Sequence, residues 1–201
     1  YKRQVYDMET TYWFRCEPIL WNILENKNGE YLLLSSVLLD AKVYQCDNYG
    51  QDFGYYINNY EKSNIRKWLN GTFCDSAFSL GNSNVQTTLV DNSISSIDSN
   101  SSQFVCNNTY DKVFLLSFQD YLNSDYGFSI SEKEDTARVC ETTDWTRANG
   151  GGDEYFTRSP ASWYDDGSAV YTFNSSDGAF CGNQTYKEYV STRPAIRITI
   201  S

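Results

Sequence analysis

Apolar residues along this chain come in short clusters, not in long periodic runs. Trp13 to Glu25 (WFRCEPILWNILE) and Tyr31 to Leu39 (YLLLSSVLL) both read as strands. The NKNG between them, Asn26 to Gly29, supplies the Asn-Gly pair of a tight hairpin turn. From Asp40 to Tyr60 the pattern dissolves into Tyr, Asn, Asp and Gly, which predicts a long structured loop. Helical spacing returns over Ser63 to Phe73 (SNIRKWLNGTF), where Ser63 is placed to cap and Ile65, Trp68 and Leu69 share a face. Gly71 is the expected end of that helix. The Ser/Asn-rich stretch from Gly81 to Asn108 reads as loop with one short strand around Gln86 to Val90. Lys112 to Leu116 reads as a buried strand leading into a second capped helix, with Ser117 three residues ahead of Asp120 as in a capping box. A third short helix starts near Thr143 and is closed by Gly150, Gly151 and Gly152. Beyond it EYFTRSP, SAVYTF, GAFCG and RPAIRITI alternate with turns, Asp177-Gly178 among them. No repeat and no linker emerge. Residues 1–201 are therefore expected to form a single α+β domain, a twisted antiparallel sheet with a few short helices and long loops.

At 201 residues the chain is long enough to bury a self-sufficient core. Aromatic residues are abundant, with 17 Tyr, 11 Phe and 5 Trp. The formal net charge of −10 repels phosphate backbones and anionic lipid, which argues against nucleic-acid partners and polybasic membrane attachment. Histidine is absent. That removes Ser-His-Asp and Cys-His nucleophile systems, HExxH zinc sites and imidazole switches. No stretch approaches about 18 consecutive apolar residues, so no membrane insertion is expected. The opening YKRQVYDMETTYWF lacks the apolar region of a signal peptide and reads as the start of a mature or excised segment.

Cys16, Cys46, Cys74, Cys106, Cys140 and Cys181 lie about 30 to 40 residues apart with no CxxC pair. The spacing opposes a zinc knuckle or thioredoxin motif and makes all six disulfide candidates, with connectivity open. Six buried free thiols are the competing reading. Asn-x-Ser/Thr sequons at Asn70, Asn100, Asn107, Asn174 and Asn183 exceed chance only slightly. The even cysteine count, the acidity and the polar aromatics together point to an exported protein, extracellular or on a cell surface.

Several phrases occur in a recognisable order: EPILWNIL (Glu17 to Leu24), YLLLSSVLLDAKVY (Tyr31 to Tyr44), SNIRKWLNGTFCDSAFS (Ser63 to Ser79) and VFLLSFQDY (Val113 to Tyr121). A last block runs from TARVCETTDWTRANGG (Thr136 to Gly151) through FTRSP (Phe156 to Pro160) to STRPAIRI (Ser191 to Ile198). Together they resemble an uncharacterised bacterial family, the domain of unknown function numbered sixty-two seventy-three, often found on surface or exported proteins. The family has no established activity. Its layout is similar to the C-type-lectin-like fold, shared with formylglycine-generating enzymes and with receptors diversified by retroelements, and the resemblance implies that fold here. The family often carries apolar or aromatic residues near Cys16 and Lys or Ala near Cys140, so these thiols look like added disulfide staples.

Arg66, Arg138, Arg158 and Arg193 fall within the family phrases. Their forks suit a carboxylate or sulfate ligand, but the stronger expectation is that they bond loop carbonyls and pin irregular backbone. Trp21, Trp68 and Trp145 are expected in the core. Trp163, Tyr164, Asp165 and Asp166 are the candidate ligand-binding residues, because aromatic faces stack on sugar C–H surfaces while carboxylates accept hydroxyl protons. The bland reading of the same residues is an Asp-Gly turn with a Trp beside it. Tyr49, Tyr55 and Tyr56 join the candidates, since Asp47 to Tyr60 and Trp163 to Tyr189 share the Tyr/Asn/Ser/Asp/Gly composition of binding loops.

Glu17-Pro18 is followed by Ile19, so the sugar-calcium motif of lectins is absent, and Asp153, Asp165, Asp166 and Asp177 lack calcium-loop spacing. No metal or cofactor is expected. Formylglycine-type oxidation needs a closely spaced cysteine pair near the C-terminal end, where Cys181 stands alone. No catalytic residue is singled out. The sequence thus suggests a non-catalytic recognition domain for a glycan or protein on a surface. Its alternative is a structural subunit of a surface layer, fibre or appendage, self-assembling through a free edge such as the terminal ITIS.

Overall fold

Asn28 and Gly29 adopt left-handed φ angles of 53° and 85°. A two-residue turn with both φ positive matches the twist of the strands it joins, so Lys27 pairs directly with Glu30. The hairpin is β1 (Trp21–Lys27) and β2 (Glu30–Ser35). The first strand is shorter than the pattern predicted: residues 11–20 carry no strand, and Trp13 is exposed. Leu32, Leu33 and Leu34 are all buried, so both faces of β2 are covered, as a continuous apolar run requires. The computed structural model describes residues 6, 7, 9–46, 54–78 and 84–200.

The predicted second strand ends in a separate short strand, β3 (Val37–Leu38), and the predicted loop after it begins with another, β4 (Asp40–Ala41). Ser63 caps α1 (Asn64–Trp68), its hydroxyl accepting from Arg66 N–H at 3.2 Å. Gly71 does not end the helical run. It kinks it, with φ −111° and ψ −106°, inside a wide π turn over Leu69–Phe73 that continues into α2 (Cys74–Phe78). Ile65 and Leu69 are buried; Trp68 is half-buried beneath Lys42.

In the Ser/Asn-rich region β5 (Thr88–Val90) pairs antiparallel with β6 (Thr109–Asp111), and two 3-10 turns lie between them. Next comes β7 (Val113–Leu115). The capping box forms as predicted: Ser117 Oγ accepts from Asp120 N–H at 2.9 Å and Asp120 Oδ2 accepts from Ser117 N–H at 2.8 Å. It introduces only 3-10 turns, not an α-helix. After β8 (Glu141–Thr142), Thr143 caps α3 (Asp144–Ala148). Trp145 on α3 is 49% exposed, against the core placement expected: a five-residue helix leaves its ring on the surface, edge-on to Phe14 at 5.5 Å.

The chain closes with β9 (Glu154–Ala161), β10 (Ala169–Asn174), β11 (Phe180–Gln184), β12 (Ser191–Thr192) and β13 (Pro194–Thr199). One sheet has the order β1-β2-β13-β7 and another β11-β10-β9-β12-β4. The fold is mixed α+β and mainly antiparallel, though β12 runs parallel to β9 and β3 parallel to β8. A single hydrophobic cluster joins Leu32 to Leu34, Val113 to Leu116, Tyr155, Phe156, Phe173 and Ile196 across both sheets.

The terminal strand is not a free edge. β13 lies between β2 and β7, and Val85 bridges to Ile198 beyond the end of β7. The outer edge of β7 is covered by side chains. Asn70 Oδ1 accepts from Val113 N–H at 3.3 Å while its Nδ2 donates to Val113 O at 2.8 Å. Tyr60 Oη accepts from Leu115 N–H at 3.3 Å, and Arg158 Nη1 donates to Leu115 O at 2.9 Å. These groups replace the missing strand.

The four arginines pin backbone, as the stronger expectation had it. Arg138, fully buried, donates to the carbonyls of Tyr121, Ser129, Ser131, Lys133 and Gly178. Arg193 donates to Ser35 O at 3.1 Å and Arg138 O at 2.8 Å. Arg66 pairs with Asp111 at 2.7 Å, and Arg158 with Asp120 at 2.7 Å.

The disulfide expectation is corrected. All six thiols, Cys16, Cys46, Cys74, Cys106, Cys140 and Cys181, are free. Each sits in its own surroundings: Cys74 beside Lys112 and Asp75, Cys106 beside Glu61, Cys140 beside Arg193, and Cys181 beside Thr172 and Glu154. Cys16 and Cys46 are exposed on irregular backbone. Sequence spacing says nothing of Cα separation, which must be under about 7 Å for a bridge.

Two outcomes are expected. Arg138→Lys, which keeps the charge but offers one three-donor head, should lose about 3 kcal/mol or more of urea-unfolding stability, since stranded buried carbonyls cost about 1–3 kcal/mol each. A loss below about 1 kcal/mol would mean that water replaces the fork. Alkylation without reductant should label all six thiols in denaturant, and Cys16 and Cys46 first in the native protein. Burial pushes Cys181 up to about 11, so it should react slowly near neutral pH.

Candidate functional site

β9 runs through the interior, and its chain emerges at Ser162 into the turn that carries the candidate residues before β10 begins. Trp163 is 47% exposed and Tyr164 49%. The buried half of Trp163 rests on Tyr171 and Phe180, with ring centroids 6.1 and 6.4 Å away. Its six-membered ring occupies the position where a Cβ of residue 182 would stand, and only glycine leaves that seat open. Beneath it, Phe118 stacks on Tyr171 at 4.4 Å, and Tyr171 Oη donates to Asp98 Oδ2 at 2.9 Å. The indole therefore stands edge-on to Tyr171, at 73°, and tilted against Phe180, at 56°, held in place by these rings while about half of it stays exposed.

Asp165 and Asp166 are exposed. Asp166 Oδ1 accepts from Ser168 N–H at 2.9 Å, Gly167 N–H donates to Tyr164 O at 3.1 Å, and Gly167 has φ 71°. Asp166 thus serves the Asp-Gly turn that the bland reading anticipated. Tyr56 reaches the same place from the earlier loop: a Cβ on Gly167 would lie 2.8 Å from the Tyr56 ring. Phe104 meets Tyr56 edge-on at 4.7 Å. Buried Asn58 fastens this loop by donating from Nδ2 to Ala169 O at 3.0 Å, and Tyr44 Oη donates to Asn58 O at 3.3 Å. Tyr55 is half-buried next to Tyr56, and Tyr49 lies outside the described residues. Trp163, Tyr164 and Tyr56 are the members brought to one surface.

Sequence reasoning missed Gly182 and Phe104. An isolated glycine inside the strand phrase GAFCG is a signal of close approach, and it marked the Trp163 seat. Also missed was a polar cleft of about 380 Å³ lined by Arg158 with Asp91, Ser95, Ser117, Asp120 and Asn123. Its parts come from three separate stretches of chain. Among the described residues no three His, Cys, Asp or Glu side chains converge as metal ligands, and Asp153 pairs with Arg147 at 3.6 Å.

On the far side of β10 and β11, Glu154 accepts from Thr172 Oγ1 at 3.3 Å and from Asn183, and Tyr189 Oη donates to Asn183 Oδ1 at 2.9 Å. Burial raises the Cys181 thiol there to about 11, which favours its protonated form near neutral pH.

No curated protein and no solved structure matches the chain. The family model described as Domain of unknown function (DUF6273) matches residues 28–200. That span includes both sheets beyond β1, every described ligand-binding candidate and the polar cleft, and the chain belongs to this family.

Proposed function

We propose that the chain is a non-catalytic extracellular recognition domain with a C-type-lectin-like fold, binding a glycan or protein through the surface of Trp163, Tyr164 and Tyr56. The observation that carries this reading is the seating of Trp163: an indole locked over Gly182, half exposed, with Tyr164 next to it in the chain and Tyr56 against Gly167 of the same turn. A preorganised ring loses little entropy on binding and offers a flat face to sugar C–H groups or to a partner side chain. Asp165 supplies an exposed acceptor at the rim. The fold proposal is supported by the opening hairpin and closing strand sharing one sheet around a loop-rich middle. Acidity and the exposed aromatics support an extracellular place; the free thiols withdraw the disulfide argument for it.

A screen of the labelled chain on a glycan array and on bacterial surface proteins tests this. For any hit, Trp163→Ala should weaken binding about tenfold or more, equivalent to about 1.4 kcal/mol. Gly182→Ala should do the same, because the methyl group evicts the ring from its seat. Asp166→Ala should change affinity less, and a calcium chelator should have no effect. Unchanged affinity in both Trp163→Ala and Gly182→Ala would remove the site from this surface.

A second reading, a structural subunit, is favoured by the exposed cross-strand pair Leu89 and Tyr110 on β5 and β6. Concentration-dependent assembly on size-exclusion chromatography, abolished by Tyr110→Ser, is its expected signature. A monomer at all concentrations counts against it.

A further inference from the structure

The Arg158 cleft is separate from the aromatic surface, since neither Trp163, Tyr164 nor Tyr56 lines it. Its chemistry follows from how Arg158 spends its donors. The side chain is 94% buried, at 6% exposure, yet borders the cleft. Nε and Nη2 each donate to Asp91 O, at 3.2 and 3.1 Å. Nη1 donates to Leu115 O at 2.9 Å and to Asp120 Oδ2 at 2.7 Å. A guanidinium has five N–H donors, so among the described residues one Nη2 hydrogen is left over.

The acceptors are left in the same half-used state. Asp120 Oδ2 is taken by Ser117 N–H and Arg158, while Oδ1 has no protein partner among the described residues. The Asp91 carboxylate accepts from Ser93 N–H at 2.9 Å and Ser95 Oγ at 2.6 Å. Ser117 Oγ accepts from Asp120 N–H and keeps its own proton to give. Asn123 uses Oδ1 on Asp125 N–H at 2.9 Å and keeps its amide hydrogens. Donors and acceptors thus both line a cleft of about 380 Å³.

Charge selects among ligands. Two carboxylates against one guanidinium repel an anion, while an ammonium, which only donates, leaves the N–H and O–H groups of Arg158, Ser117 and Asn123 unmet. A neutral molecule whose every polar group both donates and accepts satisfies the whole rim, and adjacent hydroxyls do so in pairs. The volume, at the small end of the range of about 300–1,000 Å³ for ligand sites, suits one sugar unit or a chain end, not a polymer interior. We propose that this cleft, floored by Arg158 and Asp120, binds a neutral, polyhydroxylated ligand of monosaccharide size through its hydroxyl pairs.

The test is saturation-transfer NMR and titration calorimetry of the full chain with D-glucose, D-galactose and D-mannose, with D-glucuronate and D-glucosamine as charged controls. At least one neutral hexose should bind, and both charged relatives should bind at least tenfold more weakly. Ser95→Phe, at an exposed position on the rim, should fill the cleft and weaken binding at least tenfold. Asp91→Asn, which keeps the shape, should weaken it severalfold even if the phenylalanine variant folds poorly. Trp163→Ala should leave hexose binding unchanged. Absence of binding by all three hexoses overturns the proposal, as does stronger binding of a charged control. Binding that survives Asp91→Asn overturns it as well, and binding lost in Trp163→Ala would place the sugar on the aromatic surface instead.

Discussion

A chain with this much irregular backbone in its interior must supply hydrogen bonds that no sheet ladder provides. A buried carbonyl without a donor costs about 1–3 kcal/mol, and a loop wound through a core strands several at once. Arg138 meets five of them from one planar head. Its own carbonyl is held in turn by Tyr155 Oη at 2.9 Å and Arg193 Nη1 at 2.8 Å. The buried charges are eased by Asp135, 3.4 Å from Arg138, and by ring faces, Phe173 under Arg138 and Tyr155 under Arg193. The loop over residues 129–138, both sheets and the end of β2 all hang on this chain of contacts.

β9 transmits that rigidity to the surface. Tyr155 contacts the arginine network, Arg158 secures the outer edge of β7, and Ser159 Oγ donates to Ser96 O at 3.1 Å while accepting from Phe118 N–H at 2.9 Å. Phe118 then stacks on Tyr171, on which Trp163 rests. The exposed indole and the Arg158 cleft are therefore supported by one buried framework, although no residue of the aromatic surface lines the cleft. Loops braced in this way present side chains with little ordering left to do on contact.

Local chemistry was readable wherever it is decided by near neighbours. The Asn28-Gly29 turn, the Ser63 and Thr143 caps, the Ser117/Asp120 box and the Asp177-Gly178 turn all formed where the residues suggested. The same reasoning failed at Gly71, where tertiary packing of Leu69 and Phe73 carries the helical run through a kink that propensity alone would stop. It failed at Trp145 because amphipathic spacing on five residues does not say whether a neighbour covers the ring. The even cysteine count misled for a related reason: pairing depends on distance in space, and the six thiols occupy separate surroundings.

The sequence by itself determined the sign of the surface charge, the loss of all imidazole chemistry, the succession of short strands and helices, and the pinning role of the arginines. These follow from residue identity and from contacts within a few positions. Tertiary structure alone decided that Ile198 and Thr199 are enclosed between neighbours, that Gly182 seats Trp163, and that Tyr56 meets the turn at Gly167. It also decided that Asp91, Ser117, Asp120 and Arg158 share a cleft. Each of these joins residues about twenty or more positions apart, and their distances are set by how strands pair and pack, for which no local pattern carries a signal.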